Sequence, residues 1–182
     1  MGQTERIHHR CRCLDRNFTF EEWSEYLREN PSGGAVLTFR SFQFNICDVC
    51  LTPNHPVRIE RNICELDIET AQSVNGRWSY GILLGFYSES SSHGAQFVDD
   101  LSRGYPTEKE AIYDALLYSE ERTNKKIKEL EQRGNTPDYY DDEESGRQPK
   151  ASAILSSTRV FLKKIQRQKQ IYDPKQLTLF DL

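Results

Sequence analysis

A chain of 182 residues with 36% hydrophobic and 29% charged content can bury one modest core, and its mean hydropathy of −0.75 keeps much of it in water. No run of about 18 apolar residues and no apolar segment of a signal peptide is visible, so neither a membrane span nor export is expected, and the cytoplasm is the default compartment. The net charge of −4 hides a local asymmetry, with Arg6, Arg10, Arg12 and Arg16 at the start, acids between Asp138 and Glu144, and an acid-free basic stretch over residues 151–170.

In chain order, residues 1–18 read as a basic arm. Thr19 and Glu22 then fit a capping box, and Phe20, Trp23, Tyr26 and Leu27 share one face, which predicts a helix over 20–29. Pro31-Ser32-Gly33-Gly34 ends it. Residues 35–46 are rich in Val, Phe, Thr and Ile, and Phe42, Phe44 and Ile46 alternate with polar neighbours, predicting one β-strand. A loop at Pro53-Asn54-His55-Pro56 leads to a second strand from Val57 that breaks near Asn62. Asn75-Gly76 lies between residues 66–74 and 77–87, where a two-residue type I′ turn pairs the two segments antiparallel. On the second of these, Trp78, Tyr80, Ile82, Leu84 and Phe86 form a heavy apolar face, and Gly81 and Gly85 cross the lighter one.

The heavy face needs a cover. A helix opening at Thr107, with Glu110 completing a second capping box and Ala111, Ile112, Ala115, Leu116 and Ile127 as its stripe, supplies one. Residues 19–133 are thus expected to be an α+β domain, an antiparallel sheet with helices packed on one face. Gly134 closes the helix, and 134–150 read as a mobile acidic linker. Residues 151–171 form a basic amphipathic helix with Ile154, Leu155, Thr158, Phe161, Leu162 and Ile165 inward. Asp173-Pro174 stops it, leaving a short tail over 172–182.

The tail carries the sharpest motif. Gln176, Leu177, Leu179 and Phe180 spell Gln-Leu-x-Leu-Phe, which resembles the peptide by which bacterial clamp-interacting proteins dock on the DNA sliding clamp. The resemblance covers only the tail. It implies that the Gln176 amide enters a polar subsite while Leu177, Leu179 and Phe180 fill an apolar pocket, and the clamp is the expected partner. Adjacent aliphatic and aromatic anchors on a flexible segment bury a large apolar area through few residues. The competing reading is a terminal β-strand that pads the protein's own sheet.

Other residues carry weaker signals. Five cysteines, an odd number in a reducing compartment, argue against a disulfide framework. Cys11-x-Cys13 and Cys47-x-x-Cys50 are two thiol pairs able to close a tetrahedral Zn2+ site, but buried or merely reduced thiols are the favoured reading, and no cofactor is assigned. Arg159, Lys163, Lys164, Arg167 and Lys169 offer cations to a nucleic-acid backbone, or a solvated helix face. Glu65-x-Asp67-x-Glu69 puts three acids on one strand face, as a Mg2+ site or as the wet side of a sheet. No phosphate loop, nucleophile elbow or zinc-protease motif occurs, and His93 has no recognisable partner, so no catalytic residue is assigned. The expected function is a non-enzymatic adaptor recruited to DNA through the clamp, which suits a plasmid, phage or other mobile element. The alternative is a small metal-dependent nucleic-acid enzyme or regulator that the tail only localises.

Overall fold

A computed structural model describes residues 7–29, 34–87, 89–133 and 151–177. Strands β1 (His9–Cys11) and β2 (Arg16–Phe18) pair as a hairpin, and α1 (Phe20–Glu29) follows at once. The stretch expected to be a basic arm is therefore folded over residues 7–18. Cys11 and Phe18 are the reason, since both are buried, with Ile46 between them and Trp23 and Tyr26 of α1 alongside. The capping box forms: the Thr19 amide donates to Glu22 at 2.9 Å, and the Glu22 amide to Thr19 Oγ1 at 3.3 Å. Phe20 stays 65% exposed, so only part of the expected apolar face of α1 is used.

Residues 35–46 are two strands rather than one. β3 (Ala35–Phe39) and β4 (Phe42–Asn45) pair antiparallel around Arg40-Ser41, with Arg40 at φ 54°. Arginine is a poor signal for a turn, and here its side chain anchors it: the guanidinium lies over the Phe39 ring and donates to Gln72 Oε1 at 2.6 Å.

The main sheet has the order β5-β6-β7-β8, with β5 (Asn54–Arg61), β6 (Cys64–Gln72), β7 (Trp78–Phe86) and β8 (Glu89–His93). All its pairings are antiparallel. β5 starts earlier than expected and takes in Pro56, tolerated because β5 is an edge strand whose register shifts between Asn54 and Val57. Asn75-Gly76 does join β6 to β7, but through a three-residue loop. The Gly76 amide donates to the Ser73 carbonyl and the Ser73 amide to the Arg77 carbonyl, each at 2.9 Å, and Gly76 alone takes a positive φ, 82°. This is a type I turn closed by a left-handed glycine, not a type I′ turn. Asn75 does different work: its Oδ1 accepts from the Arg77 amide and its Nδ2 donates to the Val98 carbonyl, both at 3.0 Å.

Two helices cover the sheet on the heavy face. α2 (Glu108–Arg133) lies on β6 and β7, and α3 (Ala151–Ile171) lies on β5 and β6 and against α2. Leu66, Ile68, Ile82, Leu84, Ile112, Leu116, Phe161 and Ile165 meet there, each buried. At about 1.5–3 kcal/mol per large apolar side chain, this layer is the main source of stability. Glu108 pins the start of α2 to the sheet, accepting from Thr70 Oγ1 at 2.6 Å and Asn54 Nδ2 at 2.9 Å. Farther along α2, Lys126 is 4% exposed and pairs with Glu89 at 3.2 Å. The edge strand β8, a glutamate followed by serines, is exposed throughout, a composition that discourages pairing with other strands. A last helical turn, α4 (Pro174–Leu177), follows α3. The acidic stretch 134–150 lies outside the described residues, and among those described no helix is long and apolar enough to cross a membrane.

Candidate functional site

The clamp-like motif begins where α3 ends. Tyr172 packs on the main core and its hydroxyl donates to the Pro56 carbonyl at 3.4 Å, so the chain is anchored four residues before Gln176. Asp173 Oδ1 accepts the Lys175 amide at 2.9 Å and starts α4, with Pro174 at its first position, where a missing N–H costs nothing. Gln176 and Leu177 lie in α4; Leu179 and Phe180 lie outside the described residues.

The five basic residues of α3 divide. Arg159 pairs with Glu131 at 2.6 Å, and Lys169 with Glu120, which also accepts from Gln166 at 3.0 Å. These cations therefore tie α3 to α2. Burial opposes the ionisation of Glu120, but Lys169 and Gln166 outweigh it and hold the carboxyl below its usual range. Lys164 Nζ donates to the Glu60 carbonyl at 3.2 Å, while Lys163 and Arg167 are exposed. The potential phosphate-binding surface is narrower than the sequence suggests.

Glu65, Asp67 and Glu69 do share a face, opposite Gly85, Leu83 and Gly81 of β7 and away from the helices. They do not converge. Asp67 pairs with His55 at 3.0 Å, the Glu65 side chain lies over Gly85, and Glu69 reaches toward Gly94. Among the described residues they form no metal-ligating group.

The cysteines are rearranged relative to their spacing. Cys11 and Cys13 come together with Asp48, and the three ligand atoms lie within 4.8 Å of one another. Cys47 is exposed, and Cys50 packs in an apolar cluster with Phe42, Phe44 and Phe97, so neither belongs to that group. Asp48 is the residue that spacing alone misses, although it stands between Cys47 and Cys50. Its φ is 64°, in a loop wound by Asn45, whose Oδ1 accepts the amides of Cys47 at 2.9 Å and Val49 at 3.0 Å. Its carboxylate accepts the Cys13 amide at 2.8 Å, the Arg12 amide at 3.1 Å, Arg12 Nε at 2.9 Å and the Cys11 thiol at 3.6 Å. Burial opposes the ionisation of Asp48, yet the Cys13 amide and the Arg12 guanidinium keep its carboxyl below the usual range. Burial and the same carboxylate push the thiols of Cys11 and Cys13 up, so without a metal both stay protonated.

An open cleft of about 800 Å3 lies beside Tyr80, Asp114, Tyr118, Asn124, Lys125 and Lys128. The Tyr105 hydroxyl donates to Asp114 at 2.5 Å, and the Tyr80 ring meets those of Tyr105 and His93. Burial and Asp114 push both phenols up, so both stay protonated. His93 thus has an aromatic neighbour.

Comparison with protein-family models, with curated proteins and with solved structures returned no match to this chain. A functional reading therefore rests on its own residues.

Proposed function

We propose that this protein is a non-enzymatic adaptor that docks on the bacterial DNA sliding clamp through residues 176–180. The observation that carries this reading is the full match of Gln176, Leu177, Leu179 and Phe180 to Gln-Leu-x-Leu-Phe. Two features support it. The chain is fastened at Tyr172 and turns at Asp173-Pro174, so the motif follows directly on a fixed point of the fold. The acids on β6, which would have favoured a metal-dependent nuclease or related enzyme, do not converge on one point: Asp67 pairs with His55, while Glu65 lies over Gly85 and Glu69 reaches toward Gly94. The clamp itself encircles DNA, so a docked adaptor needs little affinity for phosphate of its own, which accords with a basic helix partly spent on α2. The α+β body then presents the sheet and the Tyr80 cleft to whatever is to be brought to the DNA.

The test uses purified clamp and two forms of the protein, the full chain and a variant lacking residues 176–182. The full chain is expected to co-elute with the clamp and the shortened one to elute alone. Equal behaviour of the two forms would remove the reading.

A further inference from the structure

We propose that Cys11, Cys13 and Asp48 bind one Zn2+ ion, with two thiolates and one carboxylate as protein ligands and water in the fourth position. The sequence spacing offers a different set, Cys11, Cys13, Cys47 and Cys50. The geometry points elsewhere: Cys47 is exposed and Cys50 lies among phenylalanines, while the sulfurs of Cys11 and Cys13 and an Asp48 oxygen already lie within 4.8 Å of one another. With bonds of about 2.3 Å to sulfur and 2.0 Å to oxygen, a tetrahedral ion needs its ligands roughly 3.5 Å apart, within reach of small side-chain rotations.

The present arrangement shows what the ion would replace. The buried Cys11 thiol aims its proton at Asp48, and the Cys13 amide donates to the same carboxylate at 2.8 Å, with the Cys13 sulfur close by. Binding exchanges two thiol protons for one divalent cation. Two S–H bonds break, two Zn–S bonds form, the protons leave to solvent and no electron changes hands. The charge of the site is therefore unchanged, and the Arg12 guanidinium, 2.9 Å from Asp48, still balances the carboxylate. That neutrality matters because Cys11 and Asp48 are almost wholly buried, where an uncompensated charge is expensive. The half-buried Cys13 gives the ion its way in. Two sulfurs select a borderline-soft ion such as zinc over magnesium or calcium, which take oxygen ligands. The site is held by backbone on both sides, by the β1–β2 hairpin and by the loop wound on Asn45, so little ordering remains to be done on binding.

The experiment is a titration of chelator-stripped, reduced full-length protein with Co2+, followed by displacement with Zn2+. We expect one equivalent to bind, with a thiolate-to-cobalt charge-transfer band, release of two protons per ion and loss of the band when Zn2+ is added. Cys11→Ser and Cys13→Ser should each weaken binding roughly tenfold or more and reduce the band, and Asp48→Asn should weaken binding similarly while keeping both thiolates. Cys47→Ser and Cys50→Ser should bind as the wild type does. Circular dichroism on each variant separates lost binding from lost folding, and the Cys11 and Cys47 variants decide the matter even if Asp48→Asn unfolds. Absence of stoichiometric binding by folded wild type would overturn the proposal. So would binding that survives Cys11→Ser but is lost in Cys47→Ser or Cys50→Ser.

Discussion

Asp48→Ala isolates the side chain on which the N-terminal part of the fold closes. The residue is 3% exposed, and its two oxygens take four hydrogen bonds: the amides of Arg12 and Cys13, Arg12 Nε and the Cys11 thiol. Alanine leaves two amides with no acceptor, at about 1–3 kcal/mol for each that water cannot reach. The guanidinium is partly exposed and turns to solvent, so its loss counts for less than that of a fully buried pair. Alanine also tolerates the φ of 64° less well than aspartate. Together these set an expected cost of about 3–5 kcal/mol, a large share of the roughly 5–15 kcal/mol that holds a typical domain. Urea unfolding of the metal-free, reduced protein measures it as a lower midpoint at unchanged slope. Asp99→Ala, at an exposed position, is the control and should stay within about 0.5 kcal/mol of wild type. A cost for Asp48→Ala below about 1 kcal/mol would show that the carboxylate does not hold the hairpin, and the reasoning would fail.

Other outcomes follow from the same structure. Gly76→Val should cost about 1–2 kcal/mol from the left-handed φ of 82° alone, because nothing lies within 4 Å of an added Cβ; an unchanged melting temperature would count against this turn. Thr107→Ala should cost about 1 kcal/mol by removing the cap of α2, whose Glu110 amide it accepts at 3.2 Å, and calorimetry would show it as a drop of a few degrees. Burial raises the thiols of Cys11, Cys13, Cys50 and Cys64 above their ordinary value of 9.0. Their folded pKa values exceed the unfolded ones, so in metal-free protein their contribution is intact below pH 9 and declines as the pH rises beyond it. The slope is about 1.4 kcal/mol per pH unit for each thiol involved. Asp48 has the opposite sign: its folded pKa is lowered from 3.8, so its contribution is present above that value and lost as the pH falls through the folded one. Unfolding midpoints from pH 3 to 11 test both limbs, and a Cys64→Ser variant with an alkaline limb as steep as that of wild type would refute the assignment of that thiol.

Elements specified by local chemistry were legible in the sequence. The helix at 20–29 was placed to the residue because Thr19 and Glu22 cap it, and the start of α2 because Thr107 and Glu110 do the same. The heavy face of β7 announced its helices through strict alternation. Features set by tertiary partners were not legible. The turn at Arg40-Ser41 is held by Phe39 and Gln72, the latter 32 residues away, and no Gly, Pro, Asn or Asp marks it. Residues 1–18 looked like a solvated arm because Arg6, Arg10, Arg12 and Arg16 crowd them, whereas the described part, residues 7–18, is folded by Cys11 and Phe18 packing on Ile46. Cysteine spacing allowed a four-thiol site beside the favoured buried thiols, yet the group that Cys11 and Cys13 join is completed by Asp48, brought to them by a left-handed loop conformation that spacing does not encode.

Clamp docking is tested most directly by titrating sliding clamp with wild type and with the Leu179→Ala, Phe180→Ala double variant, and by following the thermal unfolding of the same two proteins. Removing two apolar anchors from so small an interface should cost about 2–4 kcal/mol, a loss of roughly 30- to 1,000-fold that takes a micromolar contact beyond easy detection. The melting temperatures should agree, because a docking peptide has little packing to lose. Clamp binding left unaltered by the double substitution, or absent in wild type, would contradict the account. A stability loss of about 3–5 kcal/mol would contradict it too, by showing that Leu179 and Phe180 belong to the protein's own core.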